Sequence, residues 1–253
     1  MKLLLTNDDG ISANGLFALA KELEKDNEVI VVAPNDQRSA CGHSITLTRV
    51  LSVKEIKIQG LKSKCYSVDG TPADCVRIAV DKLVYGKIDM VISGINRGLN
   101  IGTDILYSGT VSAAIEAVLC KIPSLAISLE ETDKLEDYYV AATYTNTILK
   151  LANEKYLKND VVLNVNVPNI PKEKILGIKV CRVGDRAYDN YFIPEFSNEK
   201  ELSFEVKGDL NSSFVENTDK SFIKNGYVTI TPLHYDLTNY KILNEVNDIF
   251  GID

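Results

Sequence analysis

The chain has 253 residues, 45% of them hydrophobic and 25% charged, with a formal net charge of −7 at pH 7. That length fits one large α/β domain, or a domain with an appendage, and is enough to bury a substantial core. An acidic balance with no run of consecutive Lys or Arg argues against nucleic acid or an anionic membrane as the main partner, because both require a basic footprint.

The first stretch, residues 2–10, is an apolar run that stops at Asp8, Asp9 and Gly10. It predicts a buried strand whose end delivers two carboxylates to the crevice where open α/β sheets bind ligands. An acidic turn capping the next helix accounts for the same residues, and at this point both readings stand. Residues 14–25 place Leu16, Leu19, Ala20 and Leu23 at helical spacing, and residues 28–33 form a second buried strand that Pro34 ends. A polar loop over 35–44 carries Ser39 and His43, and short alternating runs between 45 and 68 predict small strands at a sheet edge. Thr71-Pro72-Ala73-Asp74 is a helix-start signal, with the helix expected to run through Val76, Ile78, Ala79 and Leu83.

Residues 88–93 read as another strand, followed over 94–107 by a loop too polar and glycine-rich to be packing material. Ser108-Gly109-Thr110 opens a helix over 111–119, and residues 123–129 give a further strand. Thr132 is expected to cap a helix reaching about Ala152, with Leu135, Tyr139, Ala142, Ile148 and Leu149 inward. The acidic cluster Glu130, Glu131, Asp133, Glu136 and Asp137 reads as its solvated first turns. Residues 161–167 close the alternating pattern with a strand. Such alternation predicts a mostly parallel, doubly wound α/β sheet.

Past Pro171 the texture changes to short strands, at 175–182 and 201–206, with few helical patterns and with aromatic-rich turns at Tyr188, Tyr191, Phe192 and Phe196. The expected organisation is a catalytic core over 1–170, a strand-rich oligomerisation arm over 171–225, and a return over 226–253 to the core or to a partner subunit. That return comprises a strand over 226–231, ended by Pro232, and a helix over 239–250 with Ile242, Leu243, Val246 and Ile249 on one face. Cys41, Cys65, Cys75, Cys120 and Cys181 are odd in number and scattered, so neither a disulfide framework nor a zinc cluster is expected, and a cytoplasmic location is the simplest reading. The N-terminus lacks the regions of a signal peptide, and the most apolar long window, 110–129, is interrupted by Glu116, Lys121 and Pro123, so no membrane span is expected.

Three strand ends thus offer oxygen donors to one crevice: Asn7, Asp8 and Asp9 after the first strand, Ser39 after the second, and Asn96 after the strand that reaches Ser93. Two carboxylates with a hydroxyl and an amide oxygen suit a hard divalent cation such as Mg²⁺ or Mn²⁺. His43 and His234 are far apart in sequence and read as single acid-base or structural histidines. Ser108, Gly109 and Thr110, at a helix start, either cap the helix or hold a phosphate on its free N–H groups. No P-loop and no Gly-x-Gly-x-x-Gly follows the first strand, and the leading aspartates are adjacent, not one residue apart as in phosphatases that form an aspartyl-phosphate.

Asn7-Asp8-Asp9-Gly10, Arg38-Ser39 with the segment 42–47, the segments 70–75 and 93–102, Asp104 with 107–111, and Thr231-Pro232-Leu233 with 236–238 resemble the signature segments of the SurE survival-protein family. The resemblance implies a Rossmann-like three-layer α/β/α core with a C-terminal strand-rich extension used in homodimer or homotetramer assembly. It implies a cytoplasmic, metal-dependent phosphomonoesterase acting on nucleoside 5′- and 3′-monophosphates, some members also cutting exopolyphosphate. It puts the metal ligands on Asp8, Asp9, Ser39 and Asn96, the set that donor chemistry also assembles. The expected mechanism is hydrolysis assisted by one divalent cation, with Asp8, Asp9 and Asn96 catalytic, Ser108, Gly109 and Thr110 on the phosphate, and Asp9 or else His43 accepting the proton of water. Two alternatives stay open: a non-catalytic nucleotide- or phosphate-sensing protein, and a protein whose C-terminal segment serves chiefly assembly.

Overall fold

The computed structural model describes residues 1–155, 160–186, 188–197, 202–210 and 215–251. Eleven strands are described: β1 (Lys2–Thr6), β2 (Glu28–Pro34), β3 (Val53–Ile56), β4 (Lys64–Val68), β5 (Met90–Arg97), β6 (Ser124–Leu129), β7 (Val162–Val167), β8 (Ile178–Val180), β9 (Tyr188–Ser197), β10 (Leu202–Leu210) and β11 (Val228–Leu233). The α-helices are α1 (Asn14–Leu23), α2 (Pro72–Ile78), α3 (Gly109–Leu119), α4 (Leu135–Lys155), α5 (Asp219–Lys224) and α6 (Leu243–Phe250). Nine strands form one sheet in the order β3-β4-β2-β1-β5-β6-β7-β11-β8, parallel from β4 to β7, with β3 and β11 antiparallel to their inner neighbours.

Alternation along β1 assigns its leucines to two cores. Leu3 and Leu5 face the side covered by α1 and α4, whereas Leu4 faces the side covered by α2 and α3. A continuous apolar run is therefore what this strand requires, since water reaches neither face. The arrangement is the expected three-layer α/β/α fold with a mostly parallel sheet. The order reverses between β1 and β5, which opens a crevice beyond their carboxyl ends.

Several local expectations are corrected. β5 does not stop at Ser93 but continues to Arg97 across an irregularity in its pairing with β6 between Ser93 and Asn96. Gly94 makes that passage possible: its φ is +143°, and a Cβ there would sit 2.4 Å from the Ile127 carbonyl oxygen. Tyr138, not Tyr139, is buried in the core by α4. Thr132 accepts the Lys134 N–H at 3.1 Å ahead of the helix and does not cap it, and only Glu136 and Asp137 of the acidic cluster lie in its first turn.

Tyr188, Tyr191, Phe192 and Phe196 belong to β9, which pairs antiparallel with β10 in a separate two-stranded sheet; they are not in turns. Of the strand expected over 201–206, Glu201 lies outside the described residues. The short helix α5 was not foreseen; Thr218 caps it by accepting the Ser221 N–H. β11 runs through Pro232 to Leu233 instead of ending at Thr231. Ile230 turns its carbonyl to Cys181 on the β8 side, so the Pro232 nitrogen, two residues on, points to that same flank, where β8 has already ended at Val180. No helix among the described residues is long and apolar enough to cross a membrane.

Candidate active site

Where β1 ends, Asn7 makes the turn. Its Nδ2 donates to the Gly10 carbonyl at 2.9 Å and its Oδ1 accepts the Gly10 N–H at 3.2 Å, so this buried side chain serves the backbone, not the crevice. Gly10 has φ +99° and packs within 3.2 Å, measured from an added Cβ, of the Asp36 backbone, which ties the β1 loop to the β2 loop. Arg38 N–H donates to the Asp8 carbonyl at 2.7 Å and reinforces the junction just before Ser39.

Asp8 is buried against the start of α3. Its Oδ1 accepts the Thr110 hydroxyl. Burial pushes the Asp8 carboxyl up to about 6, the Thr110 hydroxyl opposing and the Asp9 charge adding to the rise. Asp9 is also raised by burial, against the Arg97 N–H that its Oδ2 accepts at 2.9 Å and against the Arg97 charge. The Arg97 guanidinium itself pairs with Glu131 at 3.0 Å and Asp133 at 3.1 Å.

Asn96, on the extension of β5, donates from Nδ2 to the Gly98 carbonyl at 2.7 Å, which turns Oδ1 away from that carbonyl. Ser39 is exposed and its Oγ accepts the Gln37 amide at 2.8 Å, leaving a second lone pair. Asp8, Ser39, Asn96 and Ser108 line one cleft of about 520 Å³, with Arg97, Asn100, Asp104, Tyr107 and Glu131 also on its wall. Asp9, Gly109 and Thr110 are not on that lining.

At the start of α3, Ser108 is an N-cap, accepting the Val111 N–H at 3.1 Å. Thr110 turns its hydroxyl to Asp8. Gly109 provides the close approach between helix and strand end: a Cβ on it would meet Asp8 Cβ at 2.8 Å and Asp8 Oδ2 at 2.9 Å. The capping reading is thus realised by the Ser108 side chain, and an anion at this end would have to use backbone N–H groups. His43 is not on the cleft lining; its Nε2 lies 2.8 Å from Glu116 Oε2.

Sequence reading did not single out Asn100, the hub that fixes the cleft loop. Its N–H donates to Asn166 Oδ1 at 2.8 Å, its Nδ2 to Ser128 Oγ at 2.7 Å, and its carbonyl accepts Asn164 and Asn166 at 2.8 and 3.0 Å. The signal available was Asn164 and Asn166 alternating with valines in β7, polar residues where a strand covered on both faces should be apolar.

Among the described residues no group of three or more His, Cys, Asp or Glu side chains gathers as a metal site. The oxygen set here contains only two carboxylates. Both are raised by burial, and the nearby Arg97 guanidinium pairs with Glu131 and Asp133 instead, so the residues fit a hard divalent cation.

The family model for Survival protein SurE matches residues 3–190. The chain is 52% identical over 251 residues, 99% of each sequence, to a protein named 5′-nucleotidase SurE from Clostridium botulinum. It is 48% identical over 250 residues, 99% of this chain and 100% of the relative, to the protein of that name from Clostridium tetani. Among solved structures, the crystal structure of Sure protein from Aquifex aeolicus aligns with a TM-score of 0.86 at 38% identity, covering 98% of this chain and 99% of that one. Matched along nearly its whole length in both sequence and fold, this chain belongs to the SurE family.

Proposed function

We propose that the chain is a 5′-nucleotidase, a phosphomonoesterase that hydrolyses nucleoside 5′- and 3′-monophosphates to nucleoside and phosphate with one divalent cation, Mg²⁺ or Mn²⁺. The observation that carries this reading is that Asp8 and Asn96 line one cleft at the point where the strand order reverses, with Asp9 held by the N–H of Arg97 and the N-terminus of α3 packed against Asp8. The names of the relatives support the same reaction class.

Asp8, Asp9, Ser39 and Asn96 would hold the cation, which supplies charge neutralisation of the phosphoryl group and acidification of an attacking water. The backbone at Gly109 and Thr110 would orient phosphate oxygens on the positive end of α3. Ser108 keeps that end in shape through its cap. Asp9 would accept the proton of water, as the carboxylate at the end of β1 that is not engaged by the Thr110 hydroxyl. Asn96 cannot take a proton and acts by orientation alone. Five free thiols support residence in a reducing cytoplasm, and the exposed apolar side chains of β9, β10 and α6 support a homodimer or homotetramer.

Phosphate release from a panel of nucleoside monophosphates and polyphosphate, in EDTA and after addition of Mg²⁺ or Mn²⁺, tests the proposal. Release is expected only with metal, and Asp9→Asn and Asn96→Ala are expected to lower kcat by about a hundredfold or more while remaining folded. Saturable nucleotide binding without phosphate release would instead favour the sensing protein.

A further inference from the structure

The cleft and the C-terminal segment meet at one buried carboxylate. Asp219 opens α5 and is fully buried. Its Oδ2 accepts the Gly102 N–H at 2.9 Å, and its Oδ1 accepts the N–H groups of Gly184 at 2.9 Å and Lys220 at 2.7 Å. Burial raises its carboxyl, and these backbone N–H groups pull it back.

The two distant donors belong to different parts of the molecule. Gly184, with the bridge between Arg182 and Thr218, closes the root from which the β9–β10 hairpin projects. Gly102 begins the 3-10 segment Gly102–Tyr107, which brings Asp104 and Tyr107 to the cleft wall and ends at Ser108, the cap of α3. Just before that segment, Asn100 is already fixed by β6 and β7, so Gly102 is the next anchor along the loop. A carboxylate serving only its own helix would bond N–H groups of that helix. Besides Lys220 of its own helix, Asp219 reaches residues 117 and 35 positions away. The fit is close: a Cβ on Gly184 would stand 2.9 Å from Asp219 Oδ1 and 3.2 Å from Thr218 Cβ.

We propose that Asp219 is a positioning residue for the substrate: it ties the Gly102–Tyr107 wall of the cleft to the root of the hairpin, and so sets nucleotide affinity without touching the reacting phosphoryl group. The inference rests on the nucleotidase reading and deepens it, because it makes grip on the nucleotide depend on a carboxylate of the C-terminal segment. Asp219→Asn keeps the volume but turns one acceptor into an N–H₂ that faces a backbone N–H.

The test combines steady-state hydrolysis of AMP with hydrogen exchange of the full chain. In Asp219→Asn, KM is expected to rise about tenfold with kcat within about twofold, and the amides of 102–107 to exchange faster while those of β1 keep their protection. Gly184→Ala crowds Oδ1 without removing the charge and moves both readings in the same direction; it carries the test if the Asn variant does not fold. Unchanged KM in a folded variant, or a fall in kcat with KM unchanged, overturns the proposal. If the wild type releases no phosphate from any nucleotide, the nucleotidase reading fails. Exchange then still decides whether Asp219 holds the wall, and unchanged exchange overturns that tie.

Discussion

Asp8 concentrates the energetic cost of the site in one side chain. An ordinary Asp ionises near 3.8, whereas Asp8 in the fold does so at about 6 because of its burial. Between those values the folded chain holds the proton more tightly than the unfolded one, so stability falls as pH rises through this window, and the full penalty is present above the folded value. The shift corresponds to roughly 3 kcal/mol. Asp8→Asn removes the ionisation. In EDTA the variant is expected to melt several degrees above the wild type at about pH 8 and at nearly the same temperature at about pH 4, with inactivity as the accompanying loss. Calorimetry giving the same difference at both pH values would contradict this account. The aspartates were legible in the sequence because charge at the end of an apolar strand has no packing purpose. The partner of Asp8 was not, because Thr110 lies 102 positions away and its hydroxyl reads locally as part of a helix start.

Elements were legible wherever the local pattern also described the tertiary environment. β1, β2 and β6 are covered on both faces and read as mainly apolar runs, and the Thr71–Asp74 capping box appears as its four residues predict. Legibility failed where a distant contact decides. β5 outruns its apolar run because pairing with β6 resumes at Asn96, and that overrun is what brings the Arg97 N–H to Asp9 and Asn96 to the cleft wall. The hairpin aromatics resembled turn residues because strands exposed on both faces have no inward periodicity to display. The start of α3 offers a test in which propensity and packing oppose each other. Gly109→Ala should stabilise a helix by up to about 1 kcal/mol from propensity alone. Its methyl, however, would meet Asp8 Cβ at 2.8 Å and Cys41 Sγ at 3.1 Å. The thiol can move, but the Cβ of Asp8 moves only with β1. Net destabilisation of about 1–3 kcal/mol, with activity lowered at least tenfold, is expected from chemical unfolding and phosphate release. A more stable, fully active variant would show that the helix and strand end slide past one another freely.

At the scale of the whole molecule, the sheet satisfies its own core but the C-terminal elements do not satisfy theirs. α6 has eight residues, too few to persist alone in water, and none of them is buried. Ile249 and Phe250 are 64% and 73% exposed on it, and Phe192 of the hairpin is 68% exposed. An amphipathic helix this short holds its shape only if its apolar face is covered, and a second copy of the chain presents the same uncovered hairpin and helix. The proposed homo-oligomer therefore makes two linked predictions. Light scattering gives two or four times the chain mass, and Val246→Asp combined with Ile249→Asp lowers that mass together with the helical signal in circular dichroism. A wild-type chain that stays monomeric at about 10 μM while retaining helical α6 would mean that this face is stable in water and needs no partner. Loss of assembly with hydrolysis intact would assign the C-terminal helix to association alone. A parallel rise in KM would instead connect association to the cleft, along the route through Asp219 and the hairpin root.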